Sequence, residues 1–334
     1  MKILYAIQAT GNGHISRACE VIPELQKLGQ VDIFLSGSNA HLKFPFASTY
    51  QSKGLSLFYG SDCKLDYKRM FTENSAPRLF REIRQFPIAQ YDLVVNDFES
   101  ISAWAAKLRG VPCMSFSHQA AFLSKNTPRP TERSVFAELL LRNYAPSSDA
   151  IGFHFKPYDS FIYTPVLRRK IREIEPQNKK HYTVYLPAIG SELLQSVLRN
   201  FKDVQWQIFM PGCTAPYRLE NMLFKPVDGE SFIESLSNCE GVLCGAGFET
   251  PAEALFLGKK LFVIPISGQY EQLCNAVALR EMGIPMALEF NSQIEGFLTQ
   301  WLNQAMPQRI LYADQTESLV QQIALLYRSF AKRA

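Results

Sequence analysis

The sequence predicts an α/β protein with two doubly wound parallel sheets, each in its own domain. Short apolar runs alternate with segments of helical spacing, and the alternation runs once through residues 1–160 and then starts again. In both halves a glycine turn follows an apolar run, where a strand passes into a helix. A chain of 334 residues also has the length of two ordinary domains. We place the domains at residues 1–160 and 161–315, followed by a C-terminal helix over residues 316–334.

The composition is that of a soluble globular protein, with 47% hydrophobic and 20% charged residues. No apolar run is long enough to span a bilayer, and the first residues enter a strand without the pattern of a cleavable signal. The 7 cysteines are scattered singly and are expected to be reduced, which predicts a cytoplasmic location. The net charge of +4 is too mild to indicate nucleic acid as a partner.

The first half opens with a strand over residues 2–7, and a glycine turn then leads into a helix that contains Pro23. A later helix is expected to begin at Ser100 as its N-cap and to end at Gly110. Residues 150–153 are the last strand expected in this half. The other strands of the half are predicted over residues 31–35, 55–59, 93–97 and 113–116.

The second half follows a connection, residues 158–180, that carries two prolines and many charges. The last helix is amphipathic, because Leu319, Ile323, Leu326 and Tyr327 recur at helical spacing. Strands are predicted over residues 182–186, 205–210, 222–225, 242–244 and 261–264, and helices over residues 192–198, 232–236, 248–257 and 316–330.

Residues 241–283 carry the strongest functional signal. A buried strand ends in Gly245-Ala246-Gly247, a helix follows, and Gly258 ends that helix. Backbone N–H groups at such a turn bind a phosphate or diphosphate together with the positive end of the helix, although a tight turn without a ligand is the alternative. Polar side chains lie at the carboxyl ends of these strands, where open α/β sheets bind ligands: Glu249, Glu253, Gln269, Glu271 and Gln272.

This stretch resembles the donor-sugar signature of GT-B glycosyltransferases, which include peptidoglycan N-acetylglucosaminyltransferases and plant and antibiotic glycosyltransferases. In that signature a glutamate that holds the ribose hydroxyls follows the glycine turn, as Glu253 follows Gly247 here. In the signature an acidic residue and a glutamine bind sugar hydroxyls, and Glu271 and Gln272 stand at the matching positions here. Glu249 lies outside the common pattern. The resemblance implies these donor-binding residues: Gly245, Ala246, Gly247, Phe248, Glu249, Thr250, Glu253, Gln269, Glu271 and Gln272.

The resemblance also implies the GT-B fold, in which two Rossmann-like domains face a central cleft and the last helix crosses back to the first domain. The first turn, Gly11-Asn12-Gly13-His14, is not a dinucleotide fingerprint, because Ser16 stands at the third glycine position. It resembles instead the glycine-His loop of GT-B enzymes. This implies a diphosphate or acceptor loop with His14 as the general base.

A histidine with an ordinary pKa near ~6.5 suits proton removal at neutral pH, and a carboxylate that orients the ring improves it. Asp97 ends a predicted strand, and plant GT-B enzymes carry an aspartate in a similar place, so we predict His14 and Asp97 as the catalytic pair. The alternative is that His14 caps its helix and binds phosphate while Asp97 is an N-cap, and Glu99 is a rival to Asp97. His118 and Gln119 end the fifth strand and are assigned to the same diphosphate or acceptor loop region. The alternatives for His118 are a structural histidine and the general base in place of His14.

Two segments, residues 64–86 and residues 131–144, interleave basic and apolar side chains. On a helix this combination is typical of a membrane-surface or lipid-linked acceptor site. The alternative is an amphipathic helix that covers the sheet and exposes a solvated basic face.

The sequence therefore predicts a glycosyltransferase that moves a sugar from a nucleotide-activated donor, a UDP-sugar, to an acceptor hydroxyl with inversion. The resemblance implies no bound cofactor or metal, a nucleotide base near residues 227–232, and a role in bacterial cell-envelope glycan, glycolipid or small-molecule glycosylation. A lipid-linked acceptor would bring the protein to the inner face of the membrane. Two alternatives remain, a nucleotide-sugar 2-epimerase and a non-catalytic nucleotide-sugar-binding protein.

Overall fold

The computed structural model describes residues 1–37, 44–54 and 75–331, with side chains to residue 328. Within these residues the first half forms a seven-stranded sheet whose neighbouring strands are all parallel. Its central strands are buried on both faces, as the near-continuous apolar runs of a parallel sheet require. The strands are β1 (Lys2–Gln8), β2 (Gln30–Ser36), β3 (Tyr50–Ser52), β4 (Leu93–Asp97), β5 (Cys113–Ser117), β6 (Asp149–Phe153) and β7 (Ile162–Tyr163).

The strand order β3-β2-β1-β4-β5-β6-β7 is that of a doubly wound sheet, with described helices connecting β1 to β2, β3 to β4, β4 to β5 and β5 to β6. A short 3₁₀ helix, Gln119–Leu123, follows β5. The described helices of this half and of the connection are α1 (Asn12–Gln26), α2 (Ala76–Gln85), α3 (Ser100–Arg109), α4 (Val135–Asn143) and α5 (Arg169–Glu173).

The second half forms a six-stranded sheet on the same plan. Its order is β10-β11-β9-β8-β12-β13, and only the edge pair β10 and β11 is antiparallel among the described strands. These strands are β8 (His181–Tyr185), β9 (Gln205–Phe209), β10 (Tyr217–Leu219), β11 (Met222–Lys225), β12 (Gly241–Gly245) and β13 (Lys260–Ile264). The helices are α6 (Ser191–Leu198), α7 (Gly229–Asn238), α8 (Glu249–Leu257), α9 (Tyr270–Glu281), α10 (Glu295–Leu302) and α11 (Thr316–Ala331).

The last helix, α11, packs against the first half. Leu319 and Ile323 on its apolar face are buried. Gln322 accepts a hydrogen bond of 2.9 Å from the Tyr163 hydroxyl at the edge of the first sheet, and Glu317 lies 3.7 Å from the Lys27 ammonium just after α1. The helix therefore returns from the second sheet to the first, as the GT-B fold requires.

The point at which strand order reverses decides where the functional side chains meet. In the first sheet it lies between β1 and β4, and Ile7 pairs with Asp97 there. In the second sheet it lies between β8 and β12, and Tyr185 pairs with Cys244. Ligands of open α/β sheets bind at the carboxyl ends of strands beside such a reversal. Both glycine turns predicted from the sequence lie at these positions.

Three local predictions differ from the structure. The α3 N-cap is Glu99 and not Ser100, because the Glu99 carboxylate accepts from the backbone N–H groups of Ile101 and Ser102 at 2.8 and 2.7 Å. Strand β6 is not the last of its half, since β7 pairs with it inside the predicted connection. The connection also contains α5, whose Ile171 is fully buried, so it is a packed part of the fold.

The predicted strand over residues 55–59 lies outside the described residues, and so does the first part of the basic segment, residues 64–74. Strand β3 lies just before it. Within the described part of the chain, no helix has both the length and the apolar character needed to cross a membrane.

Candidate active site

The predicted catalytic pair is in direct contact. His14 lies in the first turn of α1, and its Nδ1 is 2.8 Å from Oδ1 of Asp97 at the end of β4. Asp97 is fully buried, whereas 13% of the His14 side chain remains exposed. Because the carboxylate only accepts hydrogen bonds, this contact favours the tautomer with the proton on Nδ1, which leaves Nε2 as the basic nitrogen. This arrangement orients an imidazole for proton removal.

A third member of this cluster, Arg17, was not predicted from the sequence. Its Nε and Nη2 donate to the two oxygens of Asp97 at 3.0 and 2.8 Å, and Nη2 lies 3.1 Å from His14 Nδ1. Burial opposes ionisation of Asp97, but the charge of Arg17 and the hydrogen bonds from His14 and Arg17 outweigh it, so the pKa of Asp97 lies below its usual value. The signal that could have found Arg17 is its position three residues after His14, which places both side chains on one face of α1.

Arg17 also reaches the second half of the molecule. Its Nη1 donates to Oε1 of Glu249, the first residue of α8. The Glu249 carboxylate lies against Gly13, where a β-carbon would collide with it. Burial lowers the pKa of Arg17, but the Asp97 and Glu249 carboxylates outweigh that effect and leave it raised, so the guanidinium stays charged.

A second arginine pairs with the next turn of α8. Glu253 accepts two hydrogen bonds from Arg168, from Nε at 2.6 Å and from Nη2 at 2.5 Å. Only 4% of the Glu253 side chain is exposed. Arg168 comes from the predicted connection, where no local pattern distinguishes it from the other charged residues, so the sequence could not have assigned this contact.

Both glutamates open onto one pocket between the two sheets. Asn12 contributes to its wall and donates from Nδ2 to the Tyr185 hydroxyl at 3.4 Å. Four residues of the segment predicted to lie against the nucleotide base also line the pocket. The full lining is Asn12, Gly13, Ser16, Arg168, Tyr185, Val227, Asp228, Gly229, Phe232, Glu249, Thr250 and Glu253.

His118 joins the two halves beside this pocket. Its ring stacks on Phe248 of the second glycine turn, with centroids 4.0 Å apart and planes 6° from parallel. Nδ1 lies 2.8 Å from the Phe153 carbonyl oxygen, and Nε2 lies 2.9 Å from Oδ1 of Asn275, which in turn donates to the Ala246 carbonyl oxygen. Burial lowers the pKa of His118, partly opposed by Glu271. Both ring nitrogens are engaged, so His118 holds the turn and is a poor alternative base.

The predicted sugar-binding residues lie at the start of α9. Glu271 accepts from Nε2 of Gln119 at 3.1 Å across the cleft, and 28% of its side chain is exposed. Gln272 accepts from the backbone N–H of Ile266 at 3.0 Å, and its Oε1 lies on the side of Gly245. Gln269 is the N-cap residue of α9. The cleft therefore brings together both glycine turns and the polar residues of α9.

Other candidates lie away from the pair. Glu99 is fully buried under α3 as its cap, so it does not rival Asp97. His154 is buried behind His118, and His181 contacts the Ser235 carbonyl oxygen at 3.1 Å in the second half. In the part of the chain that the structure describes, no group of three or more His, Cys, Asp or Glu could hold a metal ion. Metal independence of the reaction stays a prediction.

Comparisons with known proteins identify the family and the fold. The family model for glycosyl transferase family 1 matches residues 1–302, whereas no curated protein matches the chain. Solved structures with similar folds include a UDP-glucosyltransferase from Polygonum tinctorium (14% identity, 99% of this chain and 94% of that chain, TM-score 0.57). They also include MurG from Acinetobacter baumannii (14%, 98% and 99%, 0.52) and a UDP-N-acetylglucosamine 2-epimerase (12%, 99% and 97%, 0.57).

At these identities the structural neighbours establish the GT-B fold and nothing finer. The family match covers nearly the whole chain and extends across both sheets. It includes the His14–Asp97 pair and the turn at Gly245. The chain therefore belongs to glycosyl transferase family 1.

Proposed function

We propose that this glycosyltransferase moves a sugar from a UDP-sugar to an acceptor hydroxyl with inversion at the anomeric carbon, and that His14 is the general base. The observation that carries the proposal is the 2.8 Å contact between His14 Nδ1 and Asp97 Oδ1 at the strand reversal of the first sheet. This contact supports the tautomer in which Nε2 is free to take a proton. The chemistry needs such a base within reach of the donor pocket.

The pocket between the sheets supports a nucleotide-sugar donor. Its wall combines the N-terminal ends of α1 and α8, which favour an anion such as a diphosphate, with Val227 and Phe232, which suit a flat base. Arg168 donates one hydrogen bond to each oxygen of Glu253, so acceptor positions remain on this carboxylate for ribose hydroxyls. The Polygonum neighbour is a UDP-glucosyltransferase, which agrees with UDP as the nucleotide.

The proposed reaction is one displacement. His14 Nε2 takes the proton of the acceptor hydroxyl while the hydroxyl oxygen bonds to the anomeric carbon. The bond from that carbon to the diphosphate oxygen breaks on the opposite face, and UDP leaves. Asp97 stabilises the imidazolium that forms without taking the proton itself. The N-terminal end of α8 stabilises the charge that develops on the departing diphosphate.

Turnover of His14→Ala, Asp97→Asn and the double variant with one identified acceptor tests the base. His14→Ala should lose most of the ~10²–10⁴-fold that a positioned base supplies, and Asp97→Asn should lose less. The double variant should be hardly slower than His14→Ala, because the two residues act as a unit. His181→Ala is the matched control, since His181 lies outside the pocket. An active His14→Ala enzyme, or strictly additive losses, would show that another group is the base.

The same assay separates the two alternatives. Incubation of the wild type with UDP-N-acetylglucosamine and no acceptor should leave the sugar unchanged, whereas epimerisation at C2 would replace the proposal by the 2-epimerase reaction. A wild type that binds UDP-sugars and transfers to none of a broad acceptor panel would favour a binding protein.

We also propose a lipid-linked acceptor reached from a membrane surface. Four apolar side chains of α4 are exposed, at Val135, Phe136, Leu139 and Leu140, and the exposed Arg133 precedes them. The other side of α4 faces the cleft: Glu138 accepts from Arg129 at 2.6 Å and from the hydroxyl of Tyr270, the first residue of α9, at 2.7 Å. An apolar face with basic neighbours at the cleft fits an anionic membrane.

Cosedimentation with phosphatidylglycerol vesicles and with neutral vesicles checks this acceptor side. The wild type should bind the anionic vesicles, and Phe136→Ser with Leu140→Ser should reduce that binding severalfold. Leu311→Ser, which removes an equally exposed apolar side chain elsewhere, is the control. Equal binding by both variants would remove α4 from the membrane contact.

A further inference from the structure

The contact between Glu249 and Arg17 lies where the proposed donor diphosphate has to bind. Glu249 lines the pocket at the N-terminal end of α8, and its carboxylate also lies against Gly13 at the N-terminal end of α1. These two helix ends carry partial positive charge that favours an anion. Arg17 Nη1 completes the surroundings of this carboxylate. The position is thus equipped for an anion, and a side chain of the protein occupies it.

We infer that Glu249 is an internal stand-in for the donor diphosphate. In the unliganded protein its carboxylate holds Arg17 and the end of α1, and the diphosphate takes this place when the donor binds. Arg17 is then the diphosphate-binding cation of the first half. This inference rests on the proposed function, because it assumes a donor with a diphosphate in this pocket.

The balance of charge requires an exchange and excludes simple addition. Three carboxylates, those of Asp97, Glu249 and Glu253, lie around two guanidinium groups, those of Arg17 and Arg168. A diphosphate brought beside this set would meet like charge, which is repulsive in a poorly solvated site. Withdrawal of Glu249 removes that repulsion and frees one edge of the Arg17 guanidinium.

Exposure and hydrogen bonding show which carboxylate can leave. Of the Glu249 side chain, 23% is exposed, compared with none of Asp97 and 4% of Glu253. Arg17 keeps both bonds to Asp97 when Glu249 withdraws, so the guanidinium stays in position. If Glu253 left, Arg168 would lose its hydrogen bonds to a carboxylate. If Asp97 left, His14 would lose the contact that orients its ring. Glu249 is therefore the exchangeable member.

The test is calorimetric titration with inorganic pyrophosphate and with UDP. Glu249→Gln removes the charge, and Glu249→Asp keeps the charge but shortens the side chain so that it no longer reaches Arg17. We expect both variants to bind both ligands more tightly than the wild type, with a dissociation constant roughly tenfold lower for Glu249→Gln. Glu295→Gln, on α10 and outside the pocket lining, is the matched control and should bind as the wild type does.

Two results would overturn the inference. Unchanged or weaker binding by Glu249→Gln would mean that Glu249 does not compete with the anion. A gain for Glu249→Gln without any gain for Glu249→Asp would mean that Glu249 merely repels anions and does not occupy their place on Arg17. The pyrophosphate arm involves no nucleoside, sugar or acceptor. The pyrophosphate titration therefore tests the exchange of Glu249 for an anion even if the His14 assay rejects the proposed sugar transfer.

Discussion

Two ion pairs connect α8 to arginines from the rest of the chain, and they differ in kind. Glu249 and Glu253 are one helical turn apart, so their side chains project from the same face of α8. Glu253 makes two short bonds to Arg168 and is almost fully buried. Glu249 makes a single bond to Arg17, which is held independently by Asp97, and it remains partly exposed.

We infer from this difference that an ion pair at the cleft can stabilise the fold or be exchanged for a ligand. Which of the two it does depends on whether the arginine has another carboxylate partner when the pair breaks. Arg168 has only Glu253 as a carboxylate partner within hydrogen-bond distance among the described residues, so its largely buried charge would be left uncompensated. Arg17 would still be neutralised by Asp97. We therefore assign the Glu253 pair mainly to stability and the Glu249 pair to ligand exchange.

The largest expected effect is on stability. Glu253→Ala should lower the free energy of unfolding by about 3–5 kcal/mol, because it leaves a largely buried guanidinium without its carboxylate partner. Glu249→Ala should cost about 1 kcal/mol or less, since its pair is partly exposed and Arg17 keeps Asp97. Urea denaturation followed by circular dichroism measures both.

The exposed pair between Lys170 and Glu230 supplies the control, and Glu230→Ala should change the unfolding free energy hardly at all. Equal losses for Glu249→Ala and Glu253→Ala would break the comparison between the two pairs.

A smaller effect tests whether exposure is the property that matters. Glu271 contacts Gln119 across the same cleft and is about as exposed as Glu249. Glu271→Gln should therefore cost less than about 1 kcal/mol of stability. Because Glu271 faces the expected sugar, the variant should bind UDP as the wild type does and turn over the UDP-sugar more slowly. A stability loss as large as that of Glu253→Ala, or an equal loss of UDP and UDP-sugar binding, would contradict this assignment.

The sequence predicted the two-sheet architecture, and the structure confirms it. Alternating apolar runs and helical segments located β1, β2, β4, β5, β6, β8, β9, β11, β12 and β13 to within about two residues, the usual precision at element ends. Strand β7 was missed because two residues carry no periodicity, and β3 and β10 were missed because they are short edge strands with little apolar character. The cap at Glu99 was missed because serine is the stronger local signal for an N-cap.

For the site, the sequence located polar residues at strand ends but could not predict which of them contact residues of the other half. His14 and Asp97 were proposed together because each stands at a strand end and the resemblance to GT-B enzymes implies such a pair, and the parallel pairing of β1 with β4 explains why they meet. Arg17 was within reach of the same reasoning, as the next side chain on the His14 face of α1. Arg168, His118 against Phe248, and the bond between Gln119 and Glu271 depend on how one sheet rests against the other.

What the sequence alone determined is what short-range order determines: which segments are strands, which turns carry glycine, and which polar residues stand at strand ends. Those features depend on backbone preference and on hydrophobic period, both of which act over a few residues. Only the tertiary structure showed that Glu249 and Glu253 meet different arginines and differ in burial, which their positions after the glycine turn did not indicate. Whether such a carboxylate is fixed or exchangeable depends on the distant arginine that it contacts and on whether that arginine has a second carboxylate partner. The packing of the two halves determines both of these contacts.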